Sequence, residues 1–137
     1  MNKCAVIVVI AIQSSAAVGD DHKEATEAAY CIGVYQSEVE FWRKTDPKSG
    51  EARDVEMRQS RKQTYVEGAI KRGIIDRVTV EKMRAVGYKD GNSCLEQSQR
   101  CVQQWSERMD DEQNSRILEN CGKLVEPLCE RAYKNCD

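Results

Sequence analysis

Cysteines are the most reactive side chains of this 137-residue chain, and they number seven. Five lie near its end, and their spacing repeats: Cys94 and Cys101 are seven residues apart, as are Cys129 and Cys136. Cysteines bind metals, exchange disulfides or form structural bridges. Because no CxxC pair occurs and His22 is the only histidine, the pattern favours structural bridges over redox catalysis and over a zinc site.

The start of the chain predicts secretion. Residues 1–19 have the parts of a signal peptide: a short positively charged start, an apolar run at 4–12 and small residues before two aspartates. The run is too short to span a bilayer, which takes about 20 residues; an N-terminal buried helix or anchor is the alternative. Cleavage after Gly19 or Ala17 fits the small residues required there. We therefore predict a signal peptide at 1–19, one domain at 20–137, a secreted or periplasmic location and no stable membrane insertion after cleavage.

Removal of the signal peptide would also change the cysteine count. Without Cys4 an even number remains, six, which in a secreted chain is typical of a disulfide framework. With aromatic residues at 6 % and charged residues at 32 % of the chain, the core is modest, and bridges would offset that. The predicted disulfide cysteines are Cys31, Cys94, Cys101, Cys121, Cys129 and Cys136.

Helical geometry restricts how these six pair. Residues seven apart on a helix are separated by about 10.5 Å, whereas a disulfide needs Cα atoms within about 7 Å, so neighbours on one helix cannot pair. Two nested pairs, 94 with 136 and 101 with 129, share one midpoint at Ser115, as bridges across a helical hairpin would. The predicted bridges are Cys94–Cys136, Cys101–Cys129 and Cys31–Cys121.

Hydrophobic periodicity predicts the helices that hold the cysteines. A helix is predicted over 21–44, begun by a capping box of Asp21 and Glu24. A charged helix follows over 51–72, with Gly73 suited to end it. The apolar stripe of the first helix has steps of three and four and comprises Ala25, Ala28, Ile32, Tyr35, Val39 and Trp42.

The middle of the chain predicts an interruption. Thr79 is placed to cap a brief helix over 80–86, which Gly87 would end. Residues 88–92 then form a loop.

The second half predicts a helical hairpin. Ser93 and Glu96 make a capping box for a helix to about Met109, a polar turn covers 110–115, and a last helix carries a kink or break at Pro127. Strand-like alternation is missing. The predicted fold is all-α: a small disulfide-stapled domain of four to five helices with a C-terminal helical hairpin.

Residues suited to catalysis are few. A Ser-His-Asp or Cys-His site would need His22, which lies at the start of the domain. Glu38 and Glu40, as a carboxylate pair for a hydrolase, would point to different sides of one helix, and the acidic residues at 110–112 lie in a turn. We therefore predict no enzyme, no catalytic residue, no cofactor and no metal site, and rank a hydrolase last.

The net charge and the aromatic residues indicate which kinds of binding partner to expect. Loss of residues 1–19 leaves 20 Lys and Arg against 23 Asp and Glu, a net charge of −3 without a basic tract, so nucleic acid is not a predicted partner. Trp42 and Trp105 are predicted to lie in the core. Phe41 lies off the stripe of its helix, beside Arg43 and Lys44, and these three are the candidate partner-binding residues.

The sequence thus favours a non-enzymatic domain that binds another protein, as an inhibitor or accessory subunit. The alternative is a carrier of a small apolar ligand, with a cavity between helices. The residues predicted to line such a cavity are Ile32, Tyr35, Val39, Trp105 and Leu128.

Overall fold

A computed structural model describes residues 3–107 and 111–136, with side chains for 19–107 and 115–136. Its helices are α1 (Lys3–Thr45), α2 (Glu51–Lys71), α3 (Arg77–Ser106) and α4 (Asp111–Tyr133). No strand occurs in the described ranges. The prediction of an all-α, disulfide-stapled fold is confirmed.

The helices alternate in direction around α1. Gln59 of α2 donates to the Ile32 carbonyl and to Gln36 of α1, and short connections make successive helices antiparallel. Helix α1 contacts each of the other three, and α3 packs along α4 as the predicted hairpin. Helices α1 and α3 therefore run parallel, with α1 as the central element.

The predicted stripe of α1 is the core of the domain. Its first five members, from Ala25 to Val39, are buried, and Trp42 is half-buried. Gly33, Val34 and Ser37 on other sides of the helix are buried too, because α3 covers them. One buried cluster joins α1 to the far end of α2 and the start of α3, and the second joins it to the cysteines.

Helix α1 begins earlier than predicted. It starts at Lys3, so Asp21 and Glu24 lie inside it and the predicted capping box is wrong as a helix start. The preceding residues offer no proline, and their first glycine is Gly19, so nothing in the local sequence ends the helix there.

The signal peptide and the boundary at residue 20 stay predictions. Residues 1 and 2 lie outside the described part, and of 3–18 only the helical backbone is described. In the described part of the chain, no helix combines the length and the apolar character needed to cross a membrane.

Helix α3 is one unbroken element where the sequence predicts a short helix, a loop and a second helix. Its N-cap is Asp76 rather than Thr79: the Asp76 carboxylate accepts a hydrogen bond of 2.7 Å from the Thr79 backbone N–H. Residues 88–92 are helical, and Ser93 lies well inside α3. The predicted stop at Gly87, the loop and the second capping box are therefore wrong.

The physical reason lies in the crossing of α1 and α3. A Cβ on Gly87 would collide with the carbonyl oxygen of Tyr30, and one on Gly33 with the carbonyl oxygen of Arg84. Gly91 is in the same situation against the side chain of Ser37. These glycines serve close helix contact, and the packing outweighs their low helix propensity.

Two further predictions concern helix ends. Gly73 has a positive φ of 71° and donates its N–H to the Ile70 carbonyl, which confirms it as the residue that ends α2. Helix α4 continues past Pro127 to Tyr133, so the predicted break does not occur.

The six predicted cysteines form three disulfides, but the predicted pairing is wrong. As predicted, no bridge joins the neighbours on one helix. The bridges are Cys31–Cys136, Cys94–Cys129 and Cys101–Cys121. Their Cα atoms are 5.3, 4.9 and 5.8 Å apart, respectively.

The cause of this error is the position of the hairpin turn. Helix α4 already begins at Asp111, within the predicted turn at 110–115. Both bridges between α3 and α4 are consequently centred near Asp111 and not near Ser115. The shift brings Cys129 opposite Cys94 and leaves the last cysteine, beyond the end of α4, to pair with α1.

Candidate protein-binding surface

The α3–α4 hairpin extends past the end of the α1–α2 pair. Ser37 of α1 lies against Gly91 of α3, and the two helices run parallel. Thr45, the last residue of α1, is therefore level with about residue 99 of α3. We call residues 100–106 and 111–121 the overhang; its α3 part projects by about 10 Å.

The face of α3 that packs on α1 continues into the overhang. Its members recur at helical spacing, and they change from buried to half-buried to exposed along the helix. The last two, Val102 and Trp105, are 63 % and 47 % exposed, because α1 no longer covers them. The full stripe is Val80, Gly87, Gly91, Leu95, Ser98, Val102 and Trp105.

Helix α4 also has an inward stripe that ends in an exposed residue. Its inward stripe runs from Ala132 through Cys129, Val125 and Cys121 to Leu118. Ala132 is fully buried, whereas Leu118 is 57 % exposed.

These exposed ends of two inward stripes form one surface. The Cys101–Cys121 bridge sets the antiparallel register, which brings Trp105 level with Leu118. We call Val102, Trp105 and Leu118 the overhang face. The same bridge clips the two helices at the base of the overhang, so the face is held on a braced hairpin.

Most of the described residues around this face are uncharged, and the exposed Glu119, which follows Leu118, is ion-paired with Lys123 at 3.1 Å. Gln99 and Ser106 flank it on α3, and Ser115 and Gly122 flank it on α4. Arg100 and Glu107 are also exposed, but they point about half a turn away from the stripe. Contact with this surface therefore depends on apolar area, with amide and hydroxyl groups at its edges.

The sequence-predicted binding residues lie at the end of α1, where the overhang begins. The Phe41 ring is half-buried and packs edge-to-face on Trp42, with centroids 5.3 Å apart. Arg43 forms an ion pair with Glu56, and Lys44 is exposed. A binding role for Phe41, Arg43 and Lys44 stays a prediction; their arrangement is not an open apolar patch.

The proposed carrier residues do not surround one space. Ile32 belongs to one buried cluster, and Tyr35 and Val39 belong to the other. Leu128 is half-buried, and Trp105, predicted to lie in the core, is on the surface instead. Periodicity places Trp105 on the inward face of its helix but does not tell where the neighbouring helix ends.

Sequence reasoning did not single out Val102 and Leu118 as surface contacts. Their signal is the continuation of an inward apolar stripe beyond the reach of a shorter neighbour. That signal needs the relative heights of the helices, which the sequence leaves open.

The candidate catalytic groups whose side chains are described are not gathered into a site. His22 is exposed. Glu38 accepts from the Tyr133 hydroxyl at 2.9 Å, and Glu40 from the Tyr88 hydroxyl at 2.5 Å, so the two carboxylates point to different neighbours, as predicted. Of the acidic residues at 110–112, residue 110 lies outside the described range and the side chains of the other two are not described.

Hydrogen bonds from tyrosine hydroxyls join α1 to its neighbours. Tyr30 donates to Asp90 of α3 at 2.7 Å, and Tyr35 donates to the Cys136 carbonyl. Burial, and then the hydrogen bond to Asp90, raise the pKa of Tyr30. Burial and the nearby charge of Glu38 raise the pKa of Tyr133. Neutral phenols are thus part of the packing around α1.

The raised pKa of Tyr133 predicts loss of stability in alkali. An unfolded tyrosine has a pKa of about 10, below that of the folded protein. The stabilising contribution is therefore present below pH 10 and is lost as the pH rises toward the folded pKa. At pH 11 we expect the free energy of unfolding to be lower by about 1 kcal/mol because of this residue, allowing for its partial exposure.

Urea unfolding of wild type and Tyr133→Phe at pH 8 and pH 11 tests this expectation. The variant loses less stability than wild type between the two pH values. The pH 8 comparison isolates the lost hydrogen bond to Glu38. Equal losses in both proteins would assign the alkaline effect to other groups.

Searches for a metal site and for related proteins were both negative. Within residues 19–107 and 115–136, no three His, Cys, Asp or Glu side chains lie close enough together to hold a metal ion. Comparison with protein families, with curated proteins and with solved structures found no significant match.

Proposed function

We propose that this chain is a secreted or periplasmic, non-enzymatic domain that binds another protein through the overhang face, as an inhibitor or accessory subunit. The observation that carries the proposal is the continuation of the α1-facing stripe of α3 into solvent at Val102 and Trp105. An apolar stripe on a helix is stabilised by burial against another element, and no element within the described residues covers this one at Val102 and Trp105.

The composition of the face supports protein binding. Tryptophan is enriched among the residues that contribute most to binding energy, and such residues lie near the centre of an interface. Trp105 lies one helical turn beyond Val102 on α3 and level with Leu118 of α4, and Ser106 and Ser115 are among the polar residues at the edge. Apolar centres with polar rims are typical of protein–protein contacts.

The disulfides support both the compartment and the mode of binding. Structural disulfides persist in oxidising compartments outside the cytosol. The Cys101–Cys121 bridge orders the hairpin before a partner arrives, which lowers the conformational entropy lost on binding.

The proposal predicts that Trp105→Ser weakens partner binding by about 30-fold, the loss expected for a central tryptophan contact. The oxidised, processed protein would be immobilised and exposed to periplasm or medium of its source, and retained proteins quantified by mass spectrometry. The matched control is Val78→Ser, because Val78 is 79 % exposed on the same helix but far from the overhang. Equal retention by wild type and Trp105→Ser would contradict the proposal.

A further inference from the structure

We propose that a cavity at the other end of the domain from the overhang binds a dipeptide with free termini, through its ammonium and carboxylate groups. The cavity has a volume of about 480 Å³ and lies between α1, α2 and the segment that follows α4. Binding sites for small molecules have volumes of about 300–1,000 Å³, so this one can hold a small ligand. Its charged and polar lining residues are Glu24, Glu27, Arg61, Lys62, Tyr65 and Asn135.

The cavity lies where α1 extends past the end of α4. Helix α4 ends at Tyr133, and the Cys31–Cys136 bridge fixes the following segment on α1. The Asn135 carbonyl oxygen is 3.4 Å from Cys31 Sγ, which places Asn135 at the end of the cavity. The same face of α1 carries Glu27 and Glu24, one and two turns before Cys31, and these two residues form the α1 wall.

Opposite charges line the two helical walls. Glu24 and Glu27 lie on α1, whereas Arg61 and Lys62 lie on α2, so the formal charges of the walls cancel. A ligand with one charge of each sign therefore complements the cavity better than a purely anionic or purely cationic ligand does.

Glu27 and Lys62 are the groups that we assign to ligand binding. Both are half-buried, and neither forms an ion pair or a side-chain hydrogen bond with any other described residue. Glu24, by contrast, is engaged by Tyr65, since burial and then the charge and hydrogen bond of Glu24 raise the pKa of the Tyr65 phenol. Partial burial removes water from the unpaired carboxylate and ammonium, and a ligand that pairs with both restores their interactions.

The placement of these charges favours a dipeptide over a free amino acid. In an amino acid the ammonium and the carboxylate are bonded to one carbon, whereas an extended dipeptide separates its termini by about 7 Å. Glu27 and Lys62 lie on different walls, so they match the larger separation. The Asn135 carboxamide can both donate and accept a hydrogen bond, as a peptide bond requires. Ala28 and the Tyr65 ring provide apolar surface for a side chain.

Isothermal titration calorimetry of the oxidised full chain with the dipeptide alanyl-leucine tests the inference. A dissociation constant of about 0.1 mM is expected for a ligand of this size. The same dipeptide with both termini blocked, by acetylation and amidation, is expected to bind at least about tenfold more weakly, and so is free leucine. Equal binding of the blocked dipeptide would overturn the role of the termini, and equal binding of free leucine would overturn the choice of a dipeptide.

Two substitutions that remove charge locate the site. Glu27→Gln and Lys62→Gln are each expected to raise the dissociation constant about tenfold, because each removes a charge-assisted hydrogen bond. The matched controls are Glu126→Gln on α4 and Lys71→Gln on α2, since both residues are exposed and lie outside the cavity. The controls are expected to change the constant less than about twofold. Urea unfolding of all four variants checks that a weakened affinity does not come from a damaged fold.

Amide chemical shifts in NMR spectra identify the residues that the dipeptide touches. Shifts are expected at Glu27, Ala28, Lys62 and Tyr65. Neither heat nor shifts at about 5 mM dipeptide, some 50 times the expected dissociation constant, would overturn the inference, as would binding that both cavity variants leave unchanged. Trp105→Ser is expected to keep dipeptide binding, because the overhang face lies at the other end of the domain, so this inference and the proposed function fail independently.

Discussion

Replacing Cys31 and Cys136 together by alanine is expected to lower the free energy of unfolding by about 4 to 5 kcal/mol. Their bridge spans 105 residues, and a longer closed loop restricts the unfolded chain more. Alanine is the suitable replacement because both cysteines are buried, where a serine hydroxyl would need a partner. Urea unfolding under non-oxidising, metal-free conditions measures the loss.

The other bridges provide internal controls. The same double replacement at Cys101 and Cys121, whose bridge spans 20 residues, is expected to cost about 3 kcal/mol. A larger loss there than at Cys31 and Cys136 would contradict the loop-length explanation. A non-reduced digest in which the Cys31 peptide carries the Cys136 peptide would establish the pairing independently.

The Cys31–Cys136 bridge has a positional role as well. Cys136 follows the last helical residue of α4, Tyr133, and its carbonyl accepts from Tyr35 of α1. Without the bridge, the C-terminal end of α4 would depend on a few tyrosine contacts to stay on α1. Local opening of this end, measured by hydrogen exchange, is expected to rise more than opening of the α1–α2 pair.

The fold class and the core of α1 could be predicted because they depend on periodicity alone. Steps of three and four from Ala25 to Val39 place these residues on one helix face whatever surrounds them. The end of α2 at Gly73 was also predictable, because the positive φ that favours glycine there is a local property of the chain. Local sequence determines such features directly.

The errors arise where distant residues decide. Gly87 reads locally as a helix end, but its role is set by the Tyr30 backbone, far away in the chain. The disulfide pairing depended on the position of one turn, and an error of about one helical turn changed every partner. The overhang depends on where α1 ends relative to α3, which is a relation between helices and not a pattern within either.

Gly87→Ala is expected to destabilise the domain by about 2 kcal/mol, although alanine favours helix. The added methyl would collide with the Tyr30 carbonyl oxygen, a backbone atom that no rotamer change can move. Overpacking of this kind costs about 1–3 kcal/mol or more, which exceeds the gain in helix propensity of about 1 kcal/mol. Chemical unfolding of wild type and variant measures the difference.

Gly68→Ala in α2 and Gly122→Ala in α4 are the matched controls, because a Cβ at either position meets nothing within 4 Å. Both are expected to stabilise by about 0.5–1 kcal/mol. A stabilising effect at Gly87 as well would mean that α1 and α3 are not in close contact.

Gly91→Ala tests the same crossing in a way that can be rescued. Its added methyl would meet the Ser37 hydroxyl oxygen, so Ser37→Ala removes the nearest obstacle. The Ser37 hydroxyl donates only to the Val34 carbonyl of its own helix, which limits the cost of removing it. We expect the double variant to be more stable than Gly91→Ala by about 1 kcal/mol, a coupling between α1 and α3 that additive effects would not produce. Strict additivity would place Ser37 and Gly91 out of contact and would contradict the crossing on which the parallel register of α1 and α3, and hence the overhang, depends.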